Sequence, residues 1–431
     1  MNWRKLFPII FLFSLVDGFI SNLFYPAQLP FLYKDILIFI VYLLFFVTRE
    51  PEKRWVSEFR RSVGPGAWYL AIALIFLGLL QIFNPRVPNM FVGMLGFKTM
   101  FFYWPLAILA YAYIDSLDSL KRFLRIIVYI SIPICIFAIY QFWQGPDFMP
   151  RVFGEGFRRA IVITGGSRAS AGFLRVFGTF ASSGQFTQFL VINITFILGL
   201  LFSAVKMPEK VMLISCLVLN YITILCTGSR AGLLLLFPTT FLFVILCRWL
   251  WRSFFIALLL GISLNFGFNY LGKSVIGRFE TVKDIEMVRS RTIETTFGMF
   301  GIYLKKYPFG KGMGTATTAS RHLFKGRRTN IDFIENYPTK LQCEFGIIGV
   351  ILFYLLLLSL FIHWLRHWVK LIDRQMYVVM TALTSYCWVM FAYALFGIID
   401  NPPIGMFLWA EIGIAAKLAT LRSDDQYPVS A

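Results

Sequence analysis

The sequence predicts an all-α integral membrane protein, a polytopic helical bundle of about twelve transmembrane helices. Three observations predict it. Of 431 residues, 58% are hydrophobic and only 15% are charged, against about a quarter charged in soluble domains. The apolar residues come in blocks, many long enough for a bilayer, which takes about 20 per helix. The alternating segments of about ten residues that mark a membrane β-barrel are missing. Only helices satisfy their own backbone groups in lipid, so a helical bundle follows. A net charge of +19 on a soluble chain would point to nucleic acid. Here part of it is the ordinary cytoplasmic Lys/Arg excess, and no nucleic-acid partner is expected.

The apolar blocks run approximately over 6–24, 33–48, 66–84, 97–114, 123–143, 184–205, 209–227, 230–247, 251–271, 341–364, 375–399 and 402–420. No linker-like or low-complexity stretch separates them, and no internal repeat stands out, so residues 1–431 read as one integral membrane domain. Arg4 and Lys5 before an apolar run resemble the start of a signal peptide. Asp17 interrupts that run and no small-residue cleavage site follows, so a retained first helix is expected. Cysteines 135, 216, 226, 247, 343 and 387 lie in or beside apolar blocks without paired spacing, which predicts reduced core residues.

Short-loop charge sets the expected orientation. One set of connections carries Arg49, Lys53, Arg54, Arg60 and Arg61; Lys121, Arg122 and Arg125; Lys206 and Lys210; Arg248 and Arg252; and Arg366, Lys370 and Arg374. With Arg4, Lys5 and Arg422 these read as cytoplasmic, both termini included. Two long loops, about 144–183 and 272–340, then fall outside and together are net +10. Long loops escape the charge rule, but a basic outer cap needs a reason. One is general attraction to anionic lipid headgroups. The other is an anionic ligand arriving from the outer leaflet. Loops of this length in a compact protein are usually functional or disordered. Thr292 to Lys306 reads as a partly helical amphipathic segment, with Ile293, Phe297, Phe300 and Leu304 about a turn apart. Pro308 to Gly314 follows as a glycine-rich turn.

Four stretches carry candidate chemistry. In Cys226–Gly232 an arginine, Arg230, opens an apolar helix directly after Ser229, a capping residue. A helix N-terminus attracts anions, and a guanidinium offers a planar fork of donors to phosphate; the same arginine also fits simple snorkelling to the interface. Arg175–Gln185 leads into the next helix, with glycine and serine permitting close approach; an arginine there is also an ordinary solvated loop residue. Arg289 and Arg291 begin the amphipathic segment, where positive charge opposes the helix dipole unless an anion binds; the residues alone favour a surface charge cluster. In Asp332–Gly349, Glu344 sits about a turn inside lipid depth and should face the bundle interior, while Glu335 lies at headgroup level. His363 and His367 have the spacing of a metal pair but fall among Arg366 and Lys370 at the cytoplasmic end, as expected of a solvated face.

An Arg-x-x-Gly-Thr-Phe lead-in at 175–180, Thr-Gly-Ser-Arg-Ala-Gly at 227–232, Pro-x-Gly-x-Gly-x-Gly at 308–314 and Leu-Gln-x-Glu-x-Gly-Ile-Ile-Gly at 341–349 occur in this order. The last of these ends at Gly349, and the set spans roughly residues 170–360. This ordered set resembles the O-antigen ligase and polysaccharide polymerase (Wzy-type) family of membrane glycosyltransferases. The resemblance implies a GT-C-like enzyme of the bacterial cytoplasmic membrane, inverting and metal-independent, without a cofactor, acting on the extracytoplasmic face. Its donor would be a glycan on undecaprenyl pyrophosphate. Its acceptor would be a sugar hydroxyl, on another lipid-linked glycan or on lipid A core. Arg230 matches the helix-start arginine that contacts pyrophosphate, Arg289 or Arg291 an external-loop arginine, and Arg175 the arginine before Gly-Thr-Phe. Ligases of the family carry His-Asn where this chain has Glu335 and Asn336, which shifts the expectation toward a polymerase, with Glu335 as general base. Asn336 and Glu344 are then expected to orient the loop leading into the helix. The rival class is a lipid-linked glycan transporter or flippase, which favours related halves and broken helices at the midplane. Asp17, Asp400 and Glu411 are the charges nearest to that pattern.

Overall fold

The computed structural model describes residues 2–24, 32–48, 55–145, 148, 151–154, 169–170, 173–203, 206–247, 261, 297–317, 320, 331–332, 334, 336–368, 373–401 and 403–424. Within them the chain is helical apart from a two-residue antiparallel pair, β1 (Ala169–Ser170) with β2 (Phe173–Leu174). The first half contains α1 (Trp3–Leu15), α2 (Asp17–Leu23), α3 (Tyr33–Val47), α4 (Trp55–Val63), α5 (Pro65–Ile82), α6 (Met90–Phe101), α7 (Leu106–Tyr113) and α8 (Leu117–Gln144). The second half contains α9 (Ser183–Phe202), α10 (Met207–Thr227), α11 (Arg230–Cys247), α12 (Met299–Lys306), α13 (Tyr337–Trp368), α14 (Arg374–Tyr393) and α15 (Ile404–Asp424).

With α6 and α7 taken together as Met90–Tyr113, eight helices among the described residues are long and apolar enough to cross a membrane, or nine when α1 and α2, bent by 57°, count as one span. α3 and α11 are apolar but shorter, and the expected block 251–271 lies outside the described residues apart from residue 261, so twelve spans are not reached among them. The block boundaries change for local reasons. The expected helix 97–114 begins at Met90 because the Asn89 side chain accepts from the Val92 N–H, and it breaks at residues 102–105 ahead of Pro105. The block 6–24 breaks at Val16, where the chain turns to admit another segment against Gly18. Asp373 and Ser182 cap α14 and α9 in the same way as Asn89.

α9 is the hub. Its span is 83% buried, and it packs on α8, α10, α11 and α14. A helix apolar on every side belongs in the middle of such a bundle. Its polar side chains stay short and paired: the Asn193 amide donates to Ser131 Oγ (2.7 Å) and Asn220 Oδ1 (3.0 Å). Two further pairs flank this centre, α5 against α13 and α7 against α15. Six cysteines are buried and free.

The connections sort to opposite ends. At the N-terminal end Arg4 pairs with Asp115, Arg125 with Glu209 (2.6 Å), and Lys121 reaches Ser203 O (3.0 Å) and Gln375 Oε1 (2.6 Å). The expected solvated histidine face is corrected here. His363 is only partly exposed, with Nε2 2.6 Å from Ser62 O and its ring against Gly64, so it docks α4 onto α13. The other end holds residues 83–89, 175–183, 228–229, 308–317, 331–332, 334, 336–340, 394–401 and 403, and the candidate site lies there.

Candidate functional site at the long-loop end

The Arg175–Gln185 lead-in is clamped between two helices. Gln141, near the end of α8, donates through Nε2 to Gly178 O (2.8 Å) and accepts from Gly178 N (3.0 Å). Thr179 Oγ1 donates to Leu15 O (2.5 Å), and Phe19 N donates to Thr179 O (2.8 Å). A Cβ on Gly18 would lie 1.9 Å from the Phe180 carbonyl carbon, so this approach requires glycine. The break between α1 and α2 thus presents free backbone groups that the lead-in satisfies. Arg175 is half-buried at the start of the segment.

The start of α11 lies beside the start of α9. α10 ends on Gly228 in the left-handed region (φ 56°), the usual helix stop. The Thr187 hydroxyl donates to Thr227 Oγ1 (3.1 Å), and a Cβ on Gly232 would meet Thr187 Cγ2 at 2.0 Å. Arg230 is the first residue of α11, so its backbone stands beside the first turns of α9. Its side chain lies outside the described residues.

The glycine-rich turn is buried from Gly310 onward and woven into a kink. α13 is interrupted at Gly346 (φ 73°, ψ −174°). There Ile347 N donates to Pro308 O (2.9 Å), Lys311 N donates to Cys343 O (2.6 Å), and Gln342 Nε2 donates to Tyr307 O (3.0 Å). On its other side, Gln81 Nε2 donates to Phe309 O (2.8 Å) and Gln81 O accepts from Met313 N (3.1 Å). Gly310, Gly312 and Gly314 all have positive φ. A Cβ on Gly314 would sit 2.0 Å from Val92 O, so the turn fits a slot between α6 and α13 that only glycine enters.

Ion pairs hold this end together. Lys311 is buried and pairs with Asp332 Oδ2 at 2.7 Å, while Asp332 N donates to Thr315 O (2.7 Å). Burial, together with Asp332 beside it, pushes the Tyr303 phenol well above its ordinary range. Lys340 and Asp400 form a fully buried pair linking α13 to the α14–α15 connection. Glu344 faces the interior, with Oε1 accepting from Thr317 Oγ1 (2.8 Å) and Ala316 N (3.2 Å), which ties α13 to the glycine-rich turn. Asn336 accepts from Thr339 N (2.9 Å) at the start of α13. The aromatic row Phe180, Phe189 and Phe407 connects the lead-in to the start of α15, whose Gly405 packs on Asp400.

The structure therefore brings Arg175, the Arg230 backbone, Asn336 and Glu344 to one end of the bundle. Glu335, Arg289 and Arg291 lie outside the described residues. The amphipathic segment is described only over 297–306. Phe300 and Tyr303 pack inward while Phe297 is exposed, so its packed face is rotated from the expected one. Sequence reasoning missed Gly18, Gln141, Lys311 and Lys340. The available signals were Gln141, an amide inside an apolar helix, and Lys340, one helical turn before Glu344. Asp17 also finds a partner, Lys34, and Asp35 pairs with Lys98, so two of the conspicuous membrane charges, Asp17 and Asp400, are neutralised locally. No family model matches the chain, and no curated protein matches it in sequence.

Proposed function

We propose that the chain is a membrane glycosyltransferase of the O-antigen ligase and polysaccharide polymerase type. It joins glycan from an undecaprenyl-pyrophosphate donor to an acceptor sugar hydroxyl at the outer leaflet, with polymerase favoured over ligase. The observation that carries this reading is convergence. The Arg175 lead-in, the helix start at Arg230 and the glycine-rich turn on α13 come from separate parts of the sequence and lie at the same end of the bundle. On this reading that end is extracytoplasmic, both termini are cytoplasmic, and the chain crosses the bilayer about twelve times.

The chemistry follows from charge. As the lipid pyrophosphate leaves, the anomeric carbon gains positive character and negative charge gathers on the leaving oxygens. Arg230 at a helix N-terminus, with Arg175, Arg289 and Arg291, stabilises that charge without reorganising at the moment of reaction. Glu335 accepts the acceptor hydroxyl's proton as the new bond forms on the opposite face, which inverts the anomeric centre. Asn336 and Glu344 hold the α13 lead-in that carries Glu335. No metal takes part.

The test is glycan transfer by reconstituted protein given undecaprenyl-pyrophosphate oligosaccharide in EDTA. Wild type should extend the glycan, and Arg230→Ala and Glu335→Gln should each lose at least about 100-fold in turnover while staying folded. One observation favours the transporter reading. Glu411 is buried in the bundle, Cys387 Sγ approaches its Oε2 at 3.3 Å, and its Oε1 has no hydrogen-bond partner among the described residues. Lipid-linked glycan crossing the bilayer with no new glycosidic bond would replace the enzyme reading with that one.

A further inference from the structure

The pairs α5/α13 and α7/α15 leave a cavity of about 170 Å³ between them. Its wall is almost wholly apolar and rich in rings, with Trp104 and Trp409 on one side and Ala71 and Ile72 of α5 on the other. α4 closes it at the N-terminal end of the bundle with Phe59 and Val63. Helix packing leaves this apolar recess unfilled, against the close packing usual between helices. In a bilayer, the species at hand to fill one is an acyl chain.

The mouth can be located. Ile72 lines the cavity yet is 47% exposed, so the space opens sideways past α5. Tyr69 stands one helical turn nearer the N-terminal end on the same face of α5. Arg60 of α4 is fixed there: its Nη2 donates to the Tyr69 hydroxyl (2.6 Å), and its guanidinium lies 5.1 Å from the Tyr69 ring centre. Arg61 follows on the same exposed face, with Glu58 the one acid of the helix, so the rim is net positive. α4 itself has the composition of an interfacial helix, with apolar rings on one side and arginines on the other.

We propose that this is a binding site for an anionic glycerophospholipid of the leaflet at the N-terminal end. One acyl chain enters past Ile72 into the space between the helix pairs, and the phosphate meets Arg60, with Arg61 beside it. A guanidinium held by Tyr69 keeps donors free for phosphate oxygens and has already lost its side-chain entropy. Charge complementarity selects the headgroup, and the wall selects only for a hydrocarbon chain. The site is remote from the long-loop end and does not depend on the glycosyl-transfer reading.

The test is native mass spectrometry of purified full-length protein incubated with phosphatidylglycerol or with phosphatidylcholine of the same chains. Wild type should retain phosphatidylglycerol about fivefold better, the discrimination expected for one basic residue at an anionic headgroup. Arg60→Gln should lose this preference while keeping residual binding of both lipids. Ala71→Phe, which fills the cavity, should abolish retention of both, and the smaller Ala71→Leu should weaken it while leaving the protein monodisperse. Equal retention of the two lipids by wild type overturns the headgroup assignment. Wild-type retention by both cavity-filling variants overturns the site.

Discussion

Replacing Gly346 by alanine tests whether the break in α13 is a designed seat for the glycine-rich turn. Gly346 holds φ 73° and ψ −174°, a region that side-chain-bearing residues occupy at a cost of roughly 1–3 kcal/mol. The added Cβ would also lie 2.4 Å from the Phe309 carbonyl carbon and 2.6 Å from Pro308 O. Backbone atoms cannot swing aside as a side chain can, so overpacking adds roughly another 1–3 kcal/mol. If the turn retreats, the Ile347 N to Pro308 O bond (2.9 Å) breaks, at about 0.5–1.5 kcal/mol. The expected loss is therefore about 2.5–7.5 kcal/mol, summed over conformation, contact and hydrogen bond. Gly301 in α12 is the control, because nothing lies within 4 Å of the position its Cβ would take. Gly301→Ala should gain up to about 1 kcal/mol from helix propensity. The assay is thermal unfolding of both variants in detergent, with limited proteolysis of the 297–317 segment. Opposite signs are expected, with faster cleavage in Gly346→Ala only. A Gly346→Ala protein that melts and resists protease like wild type would refute the seat.

Two other substitutions probe the same end. Lys340→Met should destabilise by about 3–5 kcal/mol because it strands Asp400 without its cation, and Lys340→Met with Asp400→Leu should recover most of the loss; chemical or thermal unfolding of the single and double variants decides. Gln141→Leu strands both backbone groups of Gly178 and should cost about 2–5 kcal/mol in the same unfolding assay, whereas Gln141→Glu should do less harm to the bond from Gly178 N than to the bond to Gly178 O.

The helices were legible because a membrane solvent imposes length and apolarity on each span separately, and both are written along the chain. α5, α8, α9, α10 and α14 fall close to their expected blocks. Errors gathered where a single residue overrides a run of apolar ones. Pro105 splits one block, Gly346 kinks another, and the first breaks at Val16. Gly18 reads as an ordinary helix glycine until Phe180, 162 positions later, is found against it. The candidate site divides in the same way. Arg175 and Arg230 were conspicuous because arginine at a helix boundary is expensive in lipid. Lys311 and Lys340 looked like further members of a basic loop. Each is in fact buried against one acid, Asp332 and Asp400.

That the chain is a helical membrane protein, where most spans begin, and which segments carry unusual charge could be read along the chain, since each depends on residues adjacent in it. Tertiary structure alone decided which charges are neutralised and which segments meet. Lys34 reaches Asp17 and Lys340 reaches Asp400 only after helices pack, and the Arg175 lead-in finds α2 only because α1 breaks to receive it. Pairing of buried charge and satisfaction of buried backbone are properties of contacts between distant residues, and a one-dimensional pattern does not contain them.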